Sequence, residues 1–281
     1  KFAVGIFTNL TRDHLDYHKT FENYRNAKKA FFDMLPKDSF AIINADDKNG
    51  SVMVQNTRAR VKTYSMRQLA NFRARIIECH FEGMYLDIDG HEVGVQFIGK
   101  FNVSNLLAVY GTARVLGEEP EDILVAMSTL GSVSGRLEPV RSADGFTAVI
   151  DYAHTPDGLE NVLSSVKDFC KGRVIAVFGC GGDRDPMKRP IMGHIGVKLS
   201  DFAVITSDNP RTEDPMAIIE DILTGVKQED GEYIVIEDRR AAIRYAMDIG
   251  KKDDIIILAG KGHETYQDIG GVKRHLDERE E

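Results

Sequence analysis

No run of apolar residues in this sequence is long enough to cross a bilayer, and the start, Lys1-Phe2-Ala3-Val4-Gly5-Ile6, lacks the extended apolar core of a secretory signal. No membrane partner is expected. Cysteine is scarce: Cys79, Cys170 and Cys180 are scattered without metal-like spacing. An odd, sparse set argues against a disulfide framework and for reduced thiols in a cytoplasmic setting. Excess positive charge is also missing, because 36 Lys and Arg face 44 Asp and Glu for a formal net charge of -8. Nonspecific nucleic-acid binding needs a basic face, so no nucleic acid is expected, and a polyanionic substrate has to be gripped by local arginines and lysines. Internal repeats, low-complexity tracts and an initiator methionine are absent, and the chain opens almost inside a strand, as a fragment would.

What remains is a chain of 281 residues, 42% hydrophobic and 28% charged, enough for one large or two ordinary domains. Four times in the second half an apolar, β-branched stretch runs into a polar or glycine-rich segment. These are Thr147–Ile150 into Asp151-Tyr152-Ala153-His154, Val174–Phe178 into Gly179–Arg184, Phe202–Thr206 into Ser207–Arg211, and Ile255–Leu258 into Ala259–Glu264. Each stretch has the look of a buried parallel strand with helical sequence between, so the polar segments are expected at the strands' carboxyl ends, where open α/β sheets bind ligands.

In the first half, a strand over Ala3–Phe7 delivers a polar loop through His18. A helix is predicted over Phe21–Leu35, a strand over Ser39–Asn44, and a hairpin about Asp89-Gly90. Phe101–Leu116 and Pro120–Leu130 are predicted helices, with Gly117 as a left-handed terminus. The small-residue patch Ser132–Gly135 marks the boundary between domains 1–136 and 137–281. Alternating strands and helices then call for a doubly wound, mostly parallel Rossmann-like α/β sheet with right-handed crossovers. The charged tail Lys273–Glu281 is expected to be a solvated end.

Asp208-Asn209-Pro210 could be only a turn, but Arg211 adds a guanidinium at a sheet's carboxyl edge, where it can grip a carboxylate through two parallel hydrogen bonds. Arg184, followed by Lys188 and Arg189, puts more positive charge where an acidic ligand would lie. Gly260-Lys261-Gly262-His263-Glu264 lacks the Gly-Lys-Ser/Thr ending of a phosphate loop; its glycines let backbone approach a ligand, and Glu264 can accept from an ammonium. His14, Asp16 and His18 crowd one loop and Lys28 follows on a helix; from spacing alone these fit solvated or structural residues better than magnesium ligands. Asn102 or Ser104 could cap a helix, and an amide there could also read an adenine edge.

Taken together, Thr8–His18, Tyr24–Lys28, Gly99–Leu107, Gly135–Val140, Asp151–Asp157, Gly181–Asp185, Asp208–Arg211 and Gly260–Glu264 resemble the Mur ligase family over nearly the whole chain. The resemblance implies the remainder of a central ATPase domain followed by a ligase domain that binds the incoming amino acid. It also implies ATP and Mg2+, with an acyl phosphate formed on UDP-N-acetylmuramoyl-L-alanyl-D-glutamate (UDP-MurNAc-dipeptide) and attacked by meso-diaminopimelate; no obligate protein partner is implied. By resemblance His14 and a carbamylated Lys28 would ligate magnesium, and Asn102, Asn105, Arg136 and Asp151 would hold the nucleotide. Arg184, Asp208, Asn209, Pro210, Arg211, Gly260 and Glu264 would hold meso-diaminopimelate. The family's phosphate loop and amino-terminal domain are not in this sequence, so the isolated chain is expected to be incompetent as a ligase. A lysine-adding homologue, a folylpolyglutamate synthase-like ligase and a noncatalytic amino-acid-binding module are the alternatives.

Overall fold

A computed structural model describes residues 2–80, 82–131, 133–227 and 229–281. Ser132, at the head of the expected boundary patch, lies outside the described residues. The chain forms two compact units, Lys1–Gly131 and Ser132–Glu281.

The first unit is built on a sheet of β1 (Val4–Phe7), β2 (Phe40–Asn44), β3 (Arg60–Ser65), β4 (Phe72–His80), β5 (Gly83–Ile88) and β6 (His91–Val95), in that spatial order. The first four strands run parallel and the last two pairings are antiparallel. The β5–β6 hairpin turns at Asp89 and Gly90, both at positive φ, and Gly90 N–H is held by the Asp87 carboxylate at 2.8 Å. Alternation across this turn buries Met84, Leu86 and Ile88 against Val93 and Val95 and against helix α4 (Lys100–Leu116). The short helices α1 (Leu15–His18) and α3 (Gly50–Met53) flank α2 (Phe21–Asp33), which starts where the Thr20 hydroxyl accepts from Asn23 N–H. Helix α5 (Pro120–Thr129) follows α4.

The second unit has a sheet ordered β11 (Tyr233–Val235), β10 (Phe202–Ile205), β9 (Val174–Phe178), β12 (Ile255–Ala259), β8 (Thr147–Asp151) and β7 (Glu138–Arg141). All pairings are parallel except β7 with β8. Every residue of β9 and β12 is buried, because helices cover both faces, and this is why those strands are continuous apolar runs without alternation. The connecting helices are α6 (Pro156–Lys167), α7 (Lys188–Leu199), α8 (Pro215–Val226) and α9 (Arg239–Ile249). Thr155, Asp214 and Asp238 cap α6, α8 and α9 through their side-chain oxygens, and Pro156 and Pro215 occupy the first turn, where a missing N–H costs nothing. A small hairpin of β13 (Tyr266–Ile269) and β14 (Val272–His275) leads into the tail.

The tail overturns the expectation of a solvated end. Leu276 and Glu278 are buried, and Glu278 forms an ion pair of 2.6 Å with Arg239 in which both side chains are fully sealed from water. Glu281 is clasped by Arg240 and by Arg244, the latter at 3.0 Å. Arg279 pairs with Glu138 of the body, whereas His275 pairs with Glu280 inside the tail and β14 itself stays exposed.

Candidate functional site

Strands β9, β10 and β12 lie side by side, so their carboxyl-end segments meet. After β10 the chain turns through Asp208, Asn209, Pro210 and Arg211, the last at φ 53. Arg211 N–H donates to Asp268 O at 3.0 Å and Gly270 N–H donates back to Arg211 O at 2.7 Å, so the β13–β14 hairpin locks this turn. Across from it, after β9, Gly182 N–H donates to Asn209 O at 2.9 Å. A side chain at Gly182 would overlap Pro210 O.

Asn209, Lys261 and Glu264 form one connected set, with Arg211 and Arg184 held separately on backbone carbonyls. The Asn209 amide donates to Glu264 Oε2 at 3.0 Å, and the completely buried Lys261 ammonium bridges Asn209 Oδ1 and Glu264 Oε2 at 2.9 Å each. Arg211 Nη1 donates to Gly182 O at 2.7 Å, and Arg184 Nη1 to the neighbouring carbonyl of Asp183 at 2.9 Å. The two guanidinium groups thus hang on consecutive carbonyls, and both help the Thr212 hydrogen bonds hold the exposed Asp183 carboxyl below its usual range. Asp208 is the imbalance in the set: Oδ1 accepts from Asn209 N–H at 2.6 Å, whereas buried Oδ2 has no hydrogen-bond partner. That oxygen lies where a side chain at Gly260 would be, and Gly260 itself has φ 120, so only glycine fits there.

Two expectations about charge need correction. Arg189 does not face a ligand: it is buried, with Nη2 bonded to both Glu213 oxygens at 2.8 Å and Nη1 to Asp221 at 2.9 Å. Lys188 is buried too and donates to His154 O at 2.8 Å. Their charge is consumed inside the fold, as a buried cation requires. Lys261, passed over within its glycine-rich loop, is in contrast central to the set. Its signal was its place between two glycines at a strand end.

On the neighbouring strand ends, Asp151 is buried and accepts from Leu137 N–H at 2.7 Å and Ala153 N–H at 2.8 Å. Burial raises its carboxyl above the usual range despite those donors. The Arg136 guanidinium lies 5.0 Å from the centre of the Tyr152 ring, which also meets His154 and His263 at 4.6 and 5.1 Å. Sequence reasoning had not joined these aromatic groups.

In the first unit, Asn102 donates to Ile98 O at 2.8 Å and accepts from Asn105 at 3.4 Å. It therefore tethers the start of α4 without capping it; the cap position is Gly99. His14 and Lys28 both address the Tyr24 ring, at 5.9 and 5.1 Å, and His14 Nε2 lies 3.3 Å from Asp13 Oδ2. Among the described residues no group of three or more His, Cys, Asp or Glu side chains gathers as a metal cage. An imidazole and an ammonium are a poor donor set for oxygen-seeking Mg2+, so these two residues as they stand do not fit that ion.

The protein class follows from fold and sequence together. Residues 1–113 match the family model described as Mur ligase middle domain, and residues 135–262 match Mur ligase, glutamate ligase domain. The chain belongs to the Mur ligase family. It is 58% identical over 283 residues to the UDP-N-acetylmuramoyl-L-alanyl-D-glutamate--2,6-diaminopimelate ligase of Bacteroides fragilis, a match covering 100% of this chain and 58% of that protein. A solved structure of a ligase with that same name is 34% identical with a TM-score of 0.60, covering 98% of this chain and 58% of the other. The MurF ligase of Thermotoga maritima, solved in complex with ADP, shares the fold at 16% identity and a TM-score of 0.72, covering 92% of this chain and 57% of its own. The chain thus spans somewhat over half the length of the relatives it matches. No helix among the described residues is long and apolar enough to cross a membrane.

Proposed function

We propose that this chain is the part of a cytoplasmic, ATP-dependent ligase that receives meso-diaminopimelate and joins it to UDP-MurNAc-dipeptide in peptidoglycan synthesis. The carrying observation is that the ends of β9, β10 and β12 bring to one sheet edge the Asn209–Lys261–Glu264 set and, on the turns joined by the Gly182–Asn209 backbone bond, the Arg184 and Arg211 guanidinium groups. A free amino-acid head has the matching pair, a carboxylate and an ammonium. Arg211 and Arg184 would take the carboxylate at one end of the diamino diacid, since a planar fork suits a carboxylate. Glu264, Asn209 and the unpartnered Asp208 Oδ2 would take its ammonium, with Pro210 fixing the turn and Gly260 leaving room. Lysine has no carboxylate at that end and would set an ammonium against two guanidiniums, so the pocket repels it.

Held by that head, the substrate's other amino group would be aimed, unprotonated, at the acyl phosphate made from the dipeptide carboxylate and ATP. The nitrogen attacks the acyl carbon, the acyl C–O bond to the phosphoryl group breaks, and phosphate leaves while nitrogen gives up one proton, giving the amide. Asn102, Asn105, Arg136 and Asp151 are the residues assigned to the nucleotide, with Asp151 accepting from ribose hydroxyls. His14 and Lys28 can serve a metal only if Lys28 becomes a carbamate, which exchanges an ammonium for an oxygen donor; a carbamate carbon-13 NMR signal from the folded protein in labelled bicarbonate, lost in K28A, tests this. Residues 1–136 would be the carboxyl-terminal part of the ATP-binding domain and 137–281 the amino-acid-binding domain.

Calorimetric titration tests the reading. Meso-diaminopimelate should bind while lysine and glutamate do not, and R211A should abolish the signal. Equal binding of lysine, or unaltered binding by R211A, would sink it. No feature of the site favours a glutamate-adding or noncatalytic alternative.

A further inference from the structure

Arg279, in the tail after β14, joins segments that are distant in sequence. Its Nε and Nη2 reach the two Glu138 oxygens at 3.0 and 2.6 Å, and Nη2 also reaches Ser134 Oγ at 2.7 Å. Nη1 reaches Asp277 Oδ1 at 3.1 Å and Gly262 O at 3.4 Å. The segments it joins already touch through backbone. Gly135, at φ 68, abuts Gly262 and His263 so closely that a side chain there would overlap both. Gly135 N–H donates to Glu138 Oε2 at 2.6 Å, and Gly135 O accepts from Tyr152 N–H at 2.9 Å. The tail is itself anchored by the buried Arg239–Glu278 pair, so the guanidinium is presented from a fixed base.

We propose that Arg279 is a positioning residue that sets the Gly260–Glu264 loop and the Gly135–Glu138 segment in a single arrangement. The consequence rests on the function proposed above: Glu264 follows Gly262 by two positions and Arg136 follows Gly135, so one arginine fixes an amino-acid contact and a nucleotide contact together. Arginine suits the task because a planar fork serves both Glu138 oxygens and keeps N–H groups for Ser134, Asp277 and Gly262. Lysine, with its donors on one nitrogen, can keep Glu138 but cannot span all four.

The test uses the whole ligase with R279M, R279K and, as a comparison, R240M, which loosens the tail from α9 without touching Arg279's partners. Misplacing groups that aim a substrate by about 1 Å can cost ~100-fold, so R279M should raise KM for both meso-diaminopimelate and ATP by about tenfold or more. The fall in kcat should be smaller, and R279K should recover part of the loss. Amide hydrogen exchange should quicken at 262–264 and 135–137 together in R279M and at neither in R240M. Unchanged KM values, exchange that quickens in one segment alone, or the same effects from R240M would overturn the proposal. If the unaltered ligase ignores meso-diaminopimelate, the function reading fails, and the exchange comparison still decides the role of Arg279.

Discussion

Arg173 and Asp254 illustrate how single residues set the acid stability of the second unit. Asp254 is buried, which alone would raise its carboxyl, but the Arg173 side chain at 2.6 and 3.1 Å and the N–H groups of Arg173 and Lys251 hold it below the usual range. Glu138 is held low in the same sense, chiefly by Arg279. Both folded values lie below the unfolded ones, so their stabilisation is complete above the ordinary carboxylate range, about 4, and is lost as pH falls through the lowered values. Urea unfolding of this unit should weaken progressively in that acid window, and R173M should flatten the dependence; an unchanged slope would contradict it. Asp151, raised by burial, acts in the opposite direction, so its contribution is lost as pH rises through its folded value.

Among the elements, α7 and α8 cross at glycines. A Cβ on Gly225 would overlap Pro190 O, and one on Gly193 would overlap Ile222 O. An alanine within a helix normally gains roughly 0.5–1 kcal/mol over glycine, yet here overpacking, typically 1–3 kcal/mol, should win. G225A is therefore expected to lower stability in chemical denaturation, and a stabilised variant would refute the close crossing. Elements whose sequences obey a single period were legible in advance: β9 and β12 by their unbroken apolar runs, the β5–β6 hairpin by alternation about Asp89-Gly90. The β7 edge strand, the β13–β14 hairpin and the tail were not, because their residues are exposed or charged and their places depend on partners far along the chain. The site divided in the same way. Asp208, Asn209, Arg211 and Glu264 stand at strand ends and could be found there, whereas the fate of Arg189 was hidden until Glu213 and Asp221 were seen to enclose it.

At the scale of the molecule, each unit has its own core: clusters over Phe7–Met127 in the first, and over Phe146–Leu258 in the second. The second unit holds every residue of the proposed amino-acid pocket, so residues 132–281 produced alone should unfold cooperatively and bind meso-diaminopimelate as the entire chain does. A noncooperative transition would show the unit is not self-sufficient. Its weak point is the tail, because removing Glu278 leaves the Arg239 guanidinium sealed and uncompensated. E278A should cost about 3–5 kcal/mol by denaturant titration, and a loss below 1 kcal/mol would mean that water enters to relieve the charge.

Gly260 limits how such a pocket can be retuned. Any larger residue there would be strained at φ 120 and would push into the Asp208 carboxylate, so drift at this position would disrupt the proposed pocket before it could alter preference. If the proposed site is the right one, a change of incoming amine in this lineage would have to be written away from Gly260, and a swap of the cation at position 211 is the shortest path open to it.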